Sequence, residues 1–394
     1  MQTTEADARA LKQAAVEALR RSDFAKAREA FEQVVAAGQA DGLTWLGLAA
    51  ACRGLKDAPA TLGAVDKILA LEPRNVRALL IKGDHLLDGG DIPGALSYFR
   101  AGMKSATTAG RLPADLINEL NRAQALCERF AQGFEEHIRG QLAAQGFDDL
   151  SASPRFARSL DILHGKREVF VQEPRHFYFP ELPQIQFYDR KLFPWLDAVE
   201  DATDDISREA QAVLDDPRAF APYVTAGSEE RPHGDARGML DNPDWSAFFM
   251  QRDGTLFAEN AARAPKTMKA LEHAPLSRAG GRMPSILFSL LRPGAHIPPH
   301  TGVVNARLIC HLPVITPENC ALRVGNETRE WRQGKAWVFD DSMNHEAWNR
   351  SDKPRVILLF DIWRPELTDE ERRMVATMLE AMDSYGAAAT KWDA

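Results

Sequence analysis

Three aspartates, Asp23, Asp57 and Asp91, stand 34 residues apart, and the register around them repeats. Leu11, Trp45 and Leu79 share one column, Ala15, Ala49 and Gly83 a second, and Phe31, Val65 and Phe99 a third. A fixed period of this length is the mark of stacked helical units, none of which buries its apolar face alone. Bulky columns alternate with small ones, as two closely packed antiparallel helices require. The spacing predicts helix pairs with the three aspartates at the turn inside each pair. It also predicts a helix stop after Ala64–Leu71, where Pro73 follows.

This period resembles the tetratricopeptide repeat, over roughly residues 8–109. Residues 1–110 are accordingly read as a tetratricopeptide-like solenoid. The region holds a single histidine, His85, and nothing that suggests acid–base or redox chemistry. Stacked helical pairs form a concave surface suited to a peptide, so it reads as a recruitment scaffold for a peptide or protein. Helical pattern continues through 116–147 and again over Arg155–His164, which makes 111–168 a helical cap and linker.

From Val169 onward the character changes. HFYFPELPQIQFYD reads as extended chain punctuated by Pro180 and Pro183, and Trp195–Leu214 as a helix. Short strand candidates then recur: SILFSLL, ARLICHLPV, CALRVG, ETREWR, KAWVFD and PRVILLFDIW, separated by RPGAH, TPENC, VGNE, RQGK and NRSDKP. Such spacing argues for a sandwich or barrel. The last segment opens with Thr368 and Glu371, a capping box ahead of an amphipathic helix. The expected architecture is α+β and multidomain, with residues 169–394 forming the β domain.

Four of the ten histidines fall between 296 and 345: His296, His300, His311 and His345. Polar residues inside apolar runs have partners or jobs, because burying them unpaired costs a few kcal/mol. Imidazoles with nearby carboxylates and no thiolate cluster favour a borderline metal such as Fe(II). His300 and His345 are 45 residues apart, on different strand ends that a barrel can bring together at its mouth. Arg355, ten residues after His345, needs an anion if it is buried there. A dicarboxylate that chelates the metal at one end and pairs with Arg355 at the other satisfies both. That is the layout of a non-haem Fe(II) oxygenase using 2-oxoglutarate.

PPHTGVVNARLICHLPV, NETREW, GKAWVFDDSMNHEAWN and PRVILLFDIWRPELT together resemble the aspartyl/asparaginyl β-hydroxylase family, with upstream similarity at NPDWSAFFM and APKTM. The resemblance covers roughly residues 175–370 and implies a double-stranded β-helix (jelly-roll, cupin-like) core. It implies His300 and His345 as iron ligands, and Arg355 with Ser289 as the hold on the distal carboxylate of 2-oxoglutarate. His311, Trp245 and Arg307 follow as further co-substrate contacts. The family shares a glycine at the position of Gly302, two residues after the first ligand, where most 2-oxoglutarate oxygenases carry an acidic ligand. This implies a two-histidine site with water in the vacant position, and Asp341 placed to hydrogen-bond that water. One residue departs from the better-known members: Ile309 stands where they have an arginine, while Arg307, two residues earlier, faces the same side of the strand.

The implied activity is Fe(II)-, 2-oxoglutarate- and O2-dependent hydroxylation of the β-carbon of an Asp or Asn residue in a peptide or protein. The alternatives are the same chemistry on a lipid acyl chain or small molecule, or a non-catalytic tetratricopeptide interaction protein. Composition narrows the field further. The balance of 48 basic against 56 acidic residues leaves no basic footprint for nucleic acid. No apolar run approaches the roughly 20 residues of a membrane span. MQTTEADARA lacks the features of a secretory signal, and Cys52, Cys127, Cys310 and Cys320 form no CxxC pair, so a reducing cytoplasm is expected.

Overall fold

The computed structural model describes residues 5–225 and 238–385. The chain divides into two compact units, Met1–Leu160 and Asp161–Ala394. The first unit is helical: α1 (Glu5–Arg20), α2 (Phe24–Ala36), α3 (Gly42–Gly54), α4 (Ala58–Leu71), α5 (Val76–Asp88), α6 (Ile92–Ala106) and the long α7 (Ala114–Ala144). The three periodic aspartates are the N-caps of α2, α4 and α6, accepting from the amides of Lys26, Ala60 and Gly94. Each cap satisfies one orphan helix donor. The residue before each aspartate has positive φ: Ser22, Lys56 and Gly90. The small column works as expected. A Cβ on Gly83 would lie 2.5 Å from the Phe99 ring, and Ala15 and Ala49 are fully buried.

The second unit is built from β1 (Ala221–Pro222), β2 (Trp245–Arg252), β3 (Thr255–Leu256), β4 (Ile286–Leu291), β5 (His296–His300), β6 (Arg307–Ile315), β7 (Cys320–Val324), β8 (Glu327–Glu330), β9 (Trp337–Phe339), β10 (His345–Asn349) and β11 (Arg355–Trp363). Among the described residues these form two antiparallel sheets. One runs β1-β2-β4-β11-β6-β9 with β3 beside β2, and the other runs β5-β10-β7-β8. Following the chain from β4 to β11 crosses repeatedly between the sheets, which is the double-stranded β-helix that was expected.

Side chains alternate across each strand, so one strand can serve two compartments. On β6 and β11, Leu308, Cys310, Leu312, Val356, Leu358 and Phe360 pack outward against Leu196, Val199, Ile206 and Val213. Ile309 and Ile357 face inward, with Leu291, Ile297, Leu322 and Phe339, between the sheets. The intervening inward positions on these strands carry the polar residues of the site.

Two local expectations are corrected. The single helix over Trp195–Leu214 is two helices, Leu196–Asp201 and Thr203–Leu214, and the Thr203 hydroxyl donates to the Glu200 carbonyl at the break (2.5 Å). Strands β5 and β10 were not anticipated. The prolines of β5 are tolerated because that strand lies at the edge of its sheet. The Thr368–Glu371 capping box is present and starts the helix Asp369–Ser384. Among the described residues no helix is long and apolar enough to cross a membrane.

Candidate active site

His300 and His345 are direct cross-strand partners in the β5–β10 ladder. Their ring centroids are 4.1 Å apart at a 50° tilt. The two residues stand at strand ends, His300 closing β5 and His345 opening β10, and the antiparallel pairing of those strands brings the 45-residue separation to contact. Each ring sends Nδ1 to the carbonyl two residues before it, Pro298 O at 2.8 Å and Met343 O at 3.0 Å. The matching hydrogen bonds fix both tautomers and make Nε2 the basic nitrogen of each ring. Burial pulls His345 down to about 4, so it is a neutral donor at physiological pH.

Gly302 lies two residues past His300, and the Asp341 carboxylate fills the space its side chain would take. A Cβ there would sit 2.1 Å from Asp341 Oδ2. The Gly302 amide also donates to the Asp341 carbonyl at 2.7 Å. Burial pushes the Asp341 carboxyl up, countered by Arg307, whose Nη1 lies 3.1 Å from Asp341 Oδ2 and 3.6 Å from Asp361 Oδ1. Asp341 Oδ1 is buried with no hydrogen-bond partner among the described residues.

The inward positions of β6 descend from Arg307 through Ile309 to His311. At that depth Arg355 is 1% exposed, with Nε and Nη2 lacking acceptors among the described residues. Burial draws its guanidinium down to about 9. Its central carbon stacks 4.7 Å from the Trp331 ring centroid. Burial, then Arg355 and His345, push His311 well below the usual imidazole range, so it adds no charge. Ser289 is buried on β4 and its hydroxyl accepts from Trp245 Nε1 at 3.3 Å. Trp245 therefore acts on Ser289, leaving the Ser289 proton to be given elsewhere, and its ring also stands 6.1 Å from that of His300. Trp245, Ser289, His300, Arg307, His311, Asp341, His345 and Arg355 all line one cavity of about 160 Å³.

Do these residues fit an iron and a keto-diacid? Two imidazoles bound side by side to one ion through bonds of about 2.1 Å have ring centres roughly 4–5 Å apart, and this pair meets that. Among the described residues no three His, Cys, Asp or Glu side chains gather as metal ligands, so the donor set on offer is two imidazoles. At the other end, unsatisfied guanidinium donors in a dry pocket fit a carboxylate. The set fits.

Comparison with known proteins identifies the family. A model of the aspartyl/asparaginyl beta-hydroxylase family matches residues 200–365, and a tetratricopeptide-repeat model matches 12–60 and 57–106. The aspartyl/asparaginyl beta-hydroxylase of Homo sapiens is 44% identical over 137 residues, which is 34% of this chain and 18% of that protein. The ornithine lipid ester-linked acyl 2-hydroxylase of Rhizobium tropici is 30% identical over 233 residues, 58% of this chain and 76% of that protein. The chain belongs to the aspartyl/asparaginyl β-hydroxylase family. A further member, aspartate beta-hydroxylase domain-containing protein 2 of Homo sapiens, is 28% identical over 206 residues, 52% of this chain and 54% of that protein. The match to the human β-hydroxylase thus spans less than a fifth of that protein's length.

Within the β-hydroxylase domain several residues were missed by sequence reasoning. Asp361 pairs with Arg307 and accepts from the Ser285 amide at 2.9 Å. Arg364 is fully buried and forms an ion pair at 2.8 Å with the equally buried Asp340. Asp340 also accepts from Gln172 and from Ser342, which pins the turn that carries Asp341. A charge inside the apolar run VILLFDIWR was the available signal for Asp361 and Arg364. Trp331 gave none.

Proposed function

We propose that this chain is an Fe(II)- and 2-oxoglutarate-dependent dioxygenase that hydroxylates the β-carbon of an Asp or Asn residue in a peptide or protein. The observation that carries the reading is the pairing, in one cavity, of two tautomer-fixed imidazoles with a buried arginine that has unsatisfied donors. Ferrous iron with 2-oxoglutarate and O2 supplies the oxidising power to hydroxylate an unactivated C–H bond, releasing succinate and carbon dioxide. His300 and His345 would hold the metal through Nε2. Arg355 and the Ser289 hydroxyl take the distal carboxylate, with His311 as a neutral neighbour. Asp341, whose carboxylate fills the space beside Gly302, would hold a water near the metal by hydrogen bond. Ile309, Ile357 and Leu359 exclude bulk water from the middle of the cavity. The helical repeats serve to recruit the peptide.

A second reading keeps the chemistry and changes the substrate to an acyl chain. It is favoured by the Rhizobium tropici relative, which the chain matches over most of its length. One experiment addresses both. Anaerobic titration of Fe(II) protein with 2-oxoglutarate should give the weak metal-to-ligand charge-transfer band, and His300→Ala should lose it. Mass spectrometry of host proteins and lipids, with and without this chain, then locates the added oxygen. Oxygen on Asp or Asn supports the first reading, oxygen on acyl chains the second, and no band refutes both.

A further inference from the structure

Trp331 follows β8, and its backbone amide is fastened to the Cys320 carbonyl at 3.1 Å. Its ring stacks on Trp337 at 6.3 Å and 19°, stands 6.2 Å from His311, and lies under Arg355. It is 6% exposed, it lines the cavity, and its buried Nε1 has no acceptor among the described residues. A buried indole N–H ordinarily has a partner, as that of Trp245 does in Ser289. Beside it, Arg355 Nε and Nη2 and His311 Nδ1 are orphaned as well. The described residues thus place the buried N–H groups of Trp331 and Arg355 in one neighbourhood, beside a His311 ring nitrogen, with no carboxylate to receive them.

On the oxygenase reading above, we infer that Trp331 is a further binding residue for the co-substrate: its indole N–H donates to the distal carboxylate while its ring face holds the plane of Arg355. A guanidinium alone needs only a flat apolar or aromatic neighbour. A phenyl ring offers the same face, so the nitrogen is the part of tryptophan that the stacking leaves unexplained. A carboxylate has lone pairs enough to accept from Arg355 and the indole at once. The consequence is selectivity for keto-diacids over keto-monoacids.

The test uses full-length Fe(II) protein titrated anaerobically with 2-oxoglutarate and with 2-oxopentanoate, which has the same chain length and no distal carboxylate. Trp331→Phe keeps the ring face and loses the N–H. It should weaken 2-oxoglutarate binding about tenfold or more and change 2-oxopentanoate binding less than about twofold. Trp331→Leu, which also removes the face, should weaken 2-oxoglutarate further. In the wild-type protein without metal, the ¹⁵N-indole signal of Trp331, assigned by its loss in Trp331→Phe, should move downfield on adding 2-oxoglutarate. The inference is overturned if Trp331→Phe binds 2-oxoglutarate like wild type, loses both acids equally, or if the indole signal stays put. Failure of the wild-type protein to bind 2-oxoglutarate overturns the oxygenase reading as well.

Discussion

Replacing Arg355 by methionine should stabilise the ligand-free protein while abolishing co-substrate binding. The guanidinium is buried in apolar surroundings that draw it from 12.5 to about 9. At about 1.4 kcal/mol for each tenfold, this corresponds to about 5 kcal/mol of unrecovered desolvation. The sign follows from proton binding. Above pH 9 the folded protein holds fewer protons than the unfolded chain, so stability rises with pH there, and below pH 9 the whole penalty applies. Against it stands the stacking on Trp331, worth about 0.5–2 kcal/mol. Methionine of similar length keeps the packing and has nothing to desolvate, so the net gain should be about 3 kcal/mol. Seven of the eight tryptophans lie beyond residue 160, Trp45 being the exception. Urea unfolding followed by tryptophan fluorescence therefore reports the second unit. The variant's midpoint should rise by about 1 M, given slopes of about 2–3 kcal/mol/M. Wild type should gain about 2.7 kcal/mol from ligand at a hundred times its Kd, and the variant nothing. A variant less stable than wild type by about 1 kcal/mol or more would mean that the guanidinium has acceptors within the protein. The proposal that it waits for an anion would then fall.

Three further outcomes follow from the same geometry. Gly302→Ala drives a methyl into the Asp341 carboxylate and should cost about 1–3 kcal/mol. Adding Asp341→Ala should recover part of that, and strictly additive urea midpoints would show that the two sites do not collide. His345 is held near 4, below the ordinary 6.5, so metal-free stability should be full above pH 6.5 and decline as pH falls toward 4, by up to about 3 kcal/mol. His345→Gln should flatten that decline, and an unchanged slope would show that the ring does not contribute it. Arg364→Met, unlike Arg355→Met, should lose about 3–5 kcal/mol because it strands Asp340. A stability gain in calorimetry would refute the assignment of that pair as the anchor of the turn before His345.

The contrast between those two arginines explains what the sequence could and could not reveal. The repeat was legible because each period carries its own turn chemistry: the aspartate cap is visible, although the left-handed residue before it is plain only at Gly90 and hidden at Ser22 and Lys56. Strands β4, β6 and β11 announce themselves as apolar runs. Strands β5 and β10 do not, because HIPPH and HEAWN each give the core one inward apolar side chain, Ile297 and Ala347, and fill the rest with histidine, proline and polar residues. The histidines were therefore found by residue type and resemblance, while their direct pairing depends on register, which neither segment encodes alone. Arg355 and Arg364 lie nine residues apart, one opening β11 and one just past its end, and both are fully buried. Nothing local tells them apart. Arg364 meets Asp340, Tyr188 and two backbone carbonyls and is spent on holding a turn. Among the described residues Arg355 meets an indole face and no acceptor. What separates a structural arginine from a binding one is the partner that another strand brings or withholds, and that is decided only when the two sheets close.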